Sequence, residues 1–158
     1  MSEYQPDPKI LFFINRLERL DPGERARLKR SAGEQLSDAR EIAFFYSLLP
    51  NGVQEKQEDI YFLVATLFPL ADGGGRGDLG ESLKQSRSDK NSKGLNRRIQ
   101  ALLDADEAQL HYRLRQTISF LKSNRARVNW VRLLQDLLQW NSSTRFVQRQ
   151  WARSYFGE

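Results

Sequence analysis

Apolar residues recur at three- and four-residue intervals along nearly the whole chain, and no segment alternates apolar with polar as a half-buried strand does. That period restricts the chain to helices packed on helices. Asp7-Pro8 forms an N-cap and first turn, followed by Ile10, Leu11, Ile14 and Leu17 on one face. Asp21-Pro22-Gly23-Glu24 repeats the device with Glu24 at the capping-box position, and Gly33 ends that helix. Ser37-Asp38 opens a third helix with Ile42, Phe45 and Leu49 inward, closed by Leu49-Pro50-Asn51-Gly52. A fourth spans about Gln57 to Phe68, aligns Ile60, Leu63, Val64 and Leu67, and stops at Pro69.

Residues 71–94 interrupt the period. Ala71-Asp72-Gly73-Gly74-Gly75-Arg76-Gly77-Asp78 and the polar run from Gln85 to Gly94 are flexible compositions around a short Leu79–Leu83 turn. They mark the place of any boundary between two lobes. Helices then resume on Leu95, Ile99, Leu102 and Leu103, and again on Leu110, Leu114, Ile118 and Leu121, with Asp104 and Glu107 at the start of the second. Val128-Asn129-Trp130 opens another, burying Val131, Leu134, Leu137 and Leu138, with Leu133 four residues past the cap. The last begins near Ser142-Ser143 and buries Val147, Trp151 and Tyr155. The expected fold is all-α, a compact bundle of about eight helices within one small domain. A chain of 158 residues buries roughly 70% of its unfolded surface and needs no covalent staple.

Composition removes several chemistries. There is no cysteine, hence no disulfide framework, thiolate metal site or sulfur nucleophile. One histidine, His111, excludes imidazole clusters and most serine–histidine–aspartate arrangements. Lacking an apolar run of membrane length or a basic-then-apolar leader in Met1-Ser2-Glu3-Tyr4-Gln5-Pro6-Asp7, the protein is expected to be soluble and cytoplasmic.

Charge is distributed unevenly. Residues 1–75 carry nine basic and twelve acidic side chains, and residues 76–158 carry sixteen and eight, so a −3 half joins a +8 half. Eighteen of the 25 cations are arginine, whose planar fork suits phosphate. Such asymmetry points to a polyanionic partner. Helical geometry sorts the cations further. Arg27 and Arg30 point away from Leu28 and Ala32, with Arg25 and Lys29 nearer the margin. Arg115 and Lys122 share one flank of their helix and Arg113 the other. Arg145, Arg149 and Arg153 form a stripe opposite Val147, Trp151 and Tyr155, while Lys122, Arg125 and Arg127 crowd one helix end. Surface helices normally balance such stripes with Glu at i+4, and those acids are nearly absent after Glu107.

Other candidate motifs carry less. The triple glycine before Arg76-Gly77-Asp78 lacks the strand, the Gly-Lys-Ser/Thr and the helix of a phosphate loop, and is expected to be a linker. Asp104, Asp106 and Glu107 lie at a helix start, where carboxylates cap free N–H groups, so neither a metal nor a catalytic site is expected. His111 is expected at the surface or an interface. Trp130, Trp140, Trp151, Phe146 and Phe156 sit at core spacing, and most are expected to pack rather than stack on bases.

Taken in order, the motifs resemble one family. Leu20-Asp21-Pro22-Gly23-Glu24-Arg25-Ala26-Arg27-Leu28-Lys29-Arg30 is followed by Phe45-Tyr46-Ser47-Leu48-Leu49-Pro50, Leu63-Val64-Ala65-Thr66-Leu67-Phe68 and Leu79-Gly80. Asn96-Arg97-Arg98-Ile99, Leu102-Leu103-Asp104, Leu114-Arg115-Gln116, Asp136-Leu137-Leu138 with Trp140, and Val147-Gln148-Arg149-Gln150-Trp151-Ala152-Arg153 complete the series. It is similar to the CasB family, the small subunit of the type I-E CRISPR surveillance complex (Cascade), over roughly residues 9–156 and least across 71–94.

The resemblance implies an all-helical subunit without catalysis or cofactor. It implies packing in tandem against the backbone and large subunits and the guide RNA, with a basic face that holds the displaced non-target strand of target DNA and stabilises the R-loop. Matched motif by motif, it assigns nucleic-acid contacts to Lys29, Arg30, Arg97, Arg98 and Arg115. Arg27, Lys84, Arg87, Lys93, Lys122, Arg125 and Arg127 join them on charge and position. Where relatives carry arginine after the Leu-Gly pair this chain has Glu81, which moves any contact from that turn to Lys84 or Arg87. The alternative is a structural adaptor whose arginines meet acidic protein surfaces.

Overall fold

The computed structural model describes residues 5–157; Met1–Tyr4, where a leader was sought, and Glu158 lie outside it. Nine α-helices and no strand occur among the described residues. In α1 (Pro8–Glu18) the Asp7 carboxylate accepts from the Lys9 N–H at 2.8 Å. The full capping box opens α2 (Pro22–Lys29): Asp21 Oδ1 accepts from the Glu24 N–H at 2.7 Å, and Glu24 Oε1 accepts from the Asp21 N–H at 3.1 Å.

Ser37-Asp38 does not open α3 (Ile42–Leu48). Those residues belong to a separate 3-10 turn, Leu36–Asp38, and α3 begins after Glu41, which is held left-handed at φ 62°. The rotated start changes the inward face. Phe45 and Leu48 are buried, Leu49 is half-buried, and Ile42 is 45% exposed rather than inward. On α1, likewise, Phe13 replaces Leu11 in the core.

The centre of the molecule is α4 (Glu58–Leu67), continued as a 3-10 turn over Phe68–Leu70. Every residue from Tyr61 to Phe68 is buried, so this helix is apolar on all sides and other elements must enclose it. It packs against α2, α7 (Glu107–Ser123) and α8 (Trp130–Leu138). Phe13 and Phe45 meet Tyr61 and Phe62 edge to face at 5.0 and 5.2 Å, and burial pushes the Tyr61 hydroxyl up to about 12. On α8, Leu133, Leu134 and Leu137 are buried, whereas Val131 and Leu138 are only half-buried.

A second packing centre joins α8 to α9 (Phe146–Phe156). Trp151 donates from Nε1 to Asp136 Oδ2 at 2.8 Å, Arg132 donates to Asp136 Oδ1 at 3.2 Å, and Trp140 lies 5.2 Å from Trp151. Burial raises the Asp136 carboxyl against the opposing pull of Trp151 and Arg132. Of the five aromatics assigned to packing, Phe146 is half-buried and Phe156 is exposed.

Residues 71–94 are not a free linker. Asp72 O accepts from the Val128 N–H at 2.9 Å, the Gly75 N–H donates to Val128 O at 3.3 Å, and Trp130 Nε1 donates to Ala71 O at 3.2 Å. A parallel bridge pairs Gly73 with Val128. The expected Leu79–Leu83 turn is a helix, α5 (Leu79–Gln85), capped by Asp78 and lying against α9. Its Gly80 lets the backbones touch, since a Cβ there would overlap the Trp151 carbonyl. The next helix, α6 (Ser92–Leu103), packs on α7 and α9. Buried residues from Ile10 to Tyr155 form one cluster that includes Leu79, Leu83 and Leu95.

Candidate nucleic-acid interface

The helix that organises the basic surface is α7. Leu110, Leu114, Thr117, Ile118 and Leu121 bury one side. At 100° per residue this sends Arg115 and Lys122 to one flank and Arg113 and Phe120 to the other. Tyr112, Gln116 and Ser119 form an exposed, uncharged ridge between them. No carboxylate follows Glu107 in this helix.

The first flank gathers residues from distant parts of the sequence. Gly33 follows α2 with φ +81°, and a Cβ there would come within 2.8 Å of Arg115 Cδ. The aliphatic part of Arg115 therefore lies across the turn that ends α2, beside exposed Lys29 and Arg30. Lys122 occupies the last turn of α7, and Arg125 stands exposed just beyond at φ 56°. The second flank faces α6. Arg98 sits 5.8 Å over the Phe120 ring, while Lys93 and Arg97, four residues apart, point outward. Lys29, Lys93, Arg97, Arg115, Lys122 and Arg125 have no ion pair among the described residues. Uncompensated cations of this kind are suited to an external polyanion.

Other named cations are engaged within the molecule. Arg27 donates through Nε and Nη2 to Glu41 and stacks 4.3 Å from Phe44. The hydrogen bond to Arg27, outweighing desolvation, holds the Glu41 carboxyl below its ordinary value, with a contribution from Arg30. Lys84 donates to Gly157 O at 2.8 Å, and Arg87 donates to Tyr155 O at 3.3 Å, so both tie down the end of α9. Arg127 donates to Gly73 O at 3.4 Å. The expected Arg145–Arg149–Arg153 stripe is incomplete. Arg145 precedes the helix at φ 52°, donates to Leu103 O and lies 3.8 Å from Asp104.

The acidic cluster and the histidine have definite partners. Asp106 caps α7 by accepting from the Gln109 N–H at 2.9 Å, and Glu107 accepts from Asn141. Among the described residues no three potential ligands converge on a metal position. His111 is not at the surface: it is 4% exposed, with Nε2 2.8 Å from Asp59 Oδ2. Burial raises the Asp59 carboxyl, but His111 and the Leu36 N–H outweigh it and hold it below its ordinary value.

One further exposed residue of this candidate interface is not singled out by the sequence pattern. Tyr112 is 59% exposed on the ridge, with Arg113 5.7 Å from its ring and Gln116 Nε2 donating to its hydroxyl at 2.8 Å. Its signal was present as the outward position of an otherwise apolar-faced helix, flanked by arginines.

Among known proteins, the family described as CRISPR-associated protein Cse2 matches residues 24–156. A CRISPR-associated protein Cse2 of Thermus thermophilus is 33% identical, over 87% of this chain and 92% of the relative. The crystal structure of CasB from Thermus thermophilus superposes with a TM-score of 0.81 at 29% identity, covering 98% of this chain and 100% of that one. A chain of a CRISPR RNA-guided surveillance complex shares the fold, with a TM-score of 0.79 at 24% identity over 94% of this chain and 91% of that one. The ordered series of helix caps, basic pairs and tryptophans, the helical architecture and these matches together place the chain in the CRISPR-associated Cse2 (CasB) family.

Proposed function

We propose that this chain is a non-catalytic small subunit of a type I-E CRISPR RNA-guided surveillance complex, working in the cytoplasm. It binds nucleic acid without regard to sequence and steadies the displaced non-target strand of the R-loop. The observation that carries this reading is the pair of cationic flanks along α7, whose members lack ion pairs among the described residues. R-loop formation is nearly balanced, so a few backbone contacts suffice to shift it. Tyr112 adds an exposed aromatic face on which an unpaired base can stack. The likeness to a chain of a CRISPR RNA-guided surveillance complex supports membership in a multi-subunit complex, within which its partners are the backbone and large subunits, guide RNA, target DNA and a tandem second copy. The carboxylates a nuclease would need are engaged in capping α7 and holding Asn141 and Arg145.

Charge reversal by Arg97→Glu with Arg98→Glu separates this reading from the adaptor. The variant is expected to join the complex in a pull-down yet bind single-stranded or R-loop DNA more weakly in a mobility-shift assay. Loss of assembly with intact strand binding would favour the adaptor.

A further inference from the structure

An open groove of about 1100 Å³ lies between α3, the start of α4, the start of α7 and the end of α8. Its charge is the reverse of the chain's. Glu55, Glu58, Asp59 and Glu107 line it, against Lys56 alone. These carboxylates meet neutral groups or the imidazole: Glu58 accepts from the Tyr46 hydroxyl at 2.8 Å, Asp59 from the Leu36 N–H at 2.8 Å, and Glu107 from Asn141. None is ion-paired to a lysine or arginine among the described residues, in a protein of net charge +5.

Two further observations point to an occupant. Ile42 and Tyr46 stand 45% and 43% exposed in the groove wall, on the rotated face of α3 that the core does not use. His111 lines the floor, and its buried Nδ1 has no hydrogen-bond partner among the described residues. A buried polar atom without a partner is uncommon, and here it borders the groove.

We propose that this groove is the docking site for an arginine-bearing segment of a partner protein. The four carboxylates repel a polyanion and favour a cationic partner. A guanidinium offers paired donors to carboxylates and a flat face to the Tyr46 ring, whereas lysine supplies only a point charge. Aliphatic side chains of the same segment cover Ile42.

The test uses the full chain and a fluorescein-labelled peptide, acetyl-Ala-Arg-Leu-Ala-Arg-Ala-amide, beside its citrulline counterpart, followed by anisotropy. The arginine peptide is expected to bind about tenfold more tightly than the citrulline peptide, as several partly exposed ion pairs together supply. Glu55→Gln with Glu58→Gln and Glu107→Gln should abolish that difference without weakening single-stranded DNA binding. The citrulline comparison on the unmodified protein keeps the test decisive if the triple variant folds poorly. Equal binding of the two peptides, no binding of either, or a triple variant that binds like the parent overturns the proposal. So does a triple variant whose only change in sedimentation is lost self-association, which would make a second copy the occupant.

Discussion

Replacing Gly75 by alanine tests whether the glycine-rich segment is a fixed part of the fold. A Cβ at Gly75 would lie 2.6 Å from Arg127 O, and 2.8 Å from both Arg127 C and Asn129 N. All three are backbone atoms, so no side chain can rotate out of the way. Ordinary contact requires an opening of about 1 Å. That displacement acts directly on the 3.3 Å bond from the Gly75 N–H to Val128 O. Overpacking of this kind costs about 1–3 kcal/mol, and a weakened backbone hydrogen bond adds up to about 1 kcal/mol. A loss near 2 kcal/mol lowers the melting temperature of a chain this size by roughly 4–8 °C. Circular dichroism at 222 nm measures it. Gly94→Ala is the control, because a Cβ in that helical position meets no atom within 4 Å, and it should be neutral or stabilise by up to about 1 kcal/mol. If Gly75→Ala melts with the parent, the segment yields freely and its packing against 127–129 is not structural.

Three further outcomes are expected. Asp136→Ala leaves the buried Trp151 Nε1–H without its acceptor and should destabilise by about 2–3 kcal/mol in urea unfolding. Asp136→Asn, which keeps an acceptor, should lose less; equal losses would remove the hydrogen bond from the explanation. Because the Asp59 carboxyl is held below its ordinary value, its interactions contribute stability above the carboxylate range and lose it as pH falls through the folded-state value. The stability gap between the parent and Asp59→Asn should therefore narrow as pH falls from about 5 to about 3, and parallel curves would contradict this. Tyr112→Ala should weaken single-stranded DNA binding about fivefold or more with no change in melting, since stacking supplies roughly 1–3 kcal/mol per base and the ring is exposed. Unchanged affinity would remove Tyr112 from the interface.

Much of the fold was legible because caps and periods are local. Asp7, Asp21 and Asn129 cap the helices that their sequence contexts announce. The misplaced elements depend on contacts distant in sequence. Glycine-rich composition cannot reveal that Val128, over fifty residues away, will bind Asp72 and Gly75. Nor does the sequence around Ile42 show that Glu41 turns left-handed and swings Ile42 outward. The basic surface was legible as a set of cations, but charge and position alone made no selection from that set. By charge and position Arg27, Lys84, Arg87 and Arg127 look no different from Lys93, Lys122 or Arg125, yet each meets a carboxylate or carbonyl brought from elsewhere. His111 was misplaced for the same reason, since its companion Asp59 lies on another helix.

That selection is also where the functional account is most exposed to test. The direct measurement is the slope of log affinity against log salt for a single-stranded oligonucleotide. Two double variants are compared with the parent chain, Arg97→Gln with Arg115→Gln and Lys84→Gln with Arg87→Gln. Each phosphate contact on a single strand contributes about 0.7 to the slope. The first pair should therefore flatten it by about 1.4 with little change in melting. The second pair should leave the slope intact and lower the melting temperature, because those side chains hold the end of α9. A slope untouched by losing Arg97 and Arg115, or flattened by losing Lys84 and Arg87, would contradict an interface built from the unpaired cations beside α7.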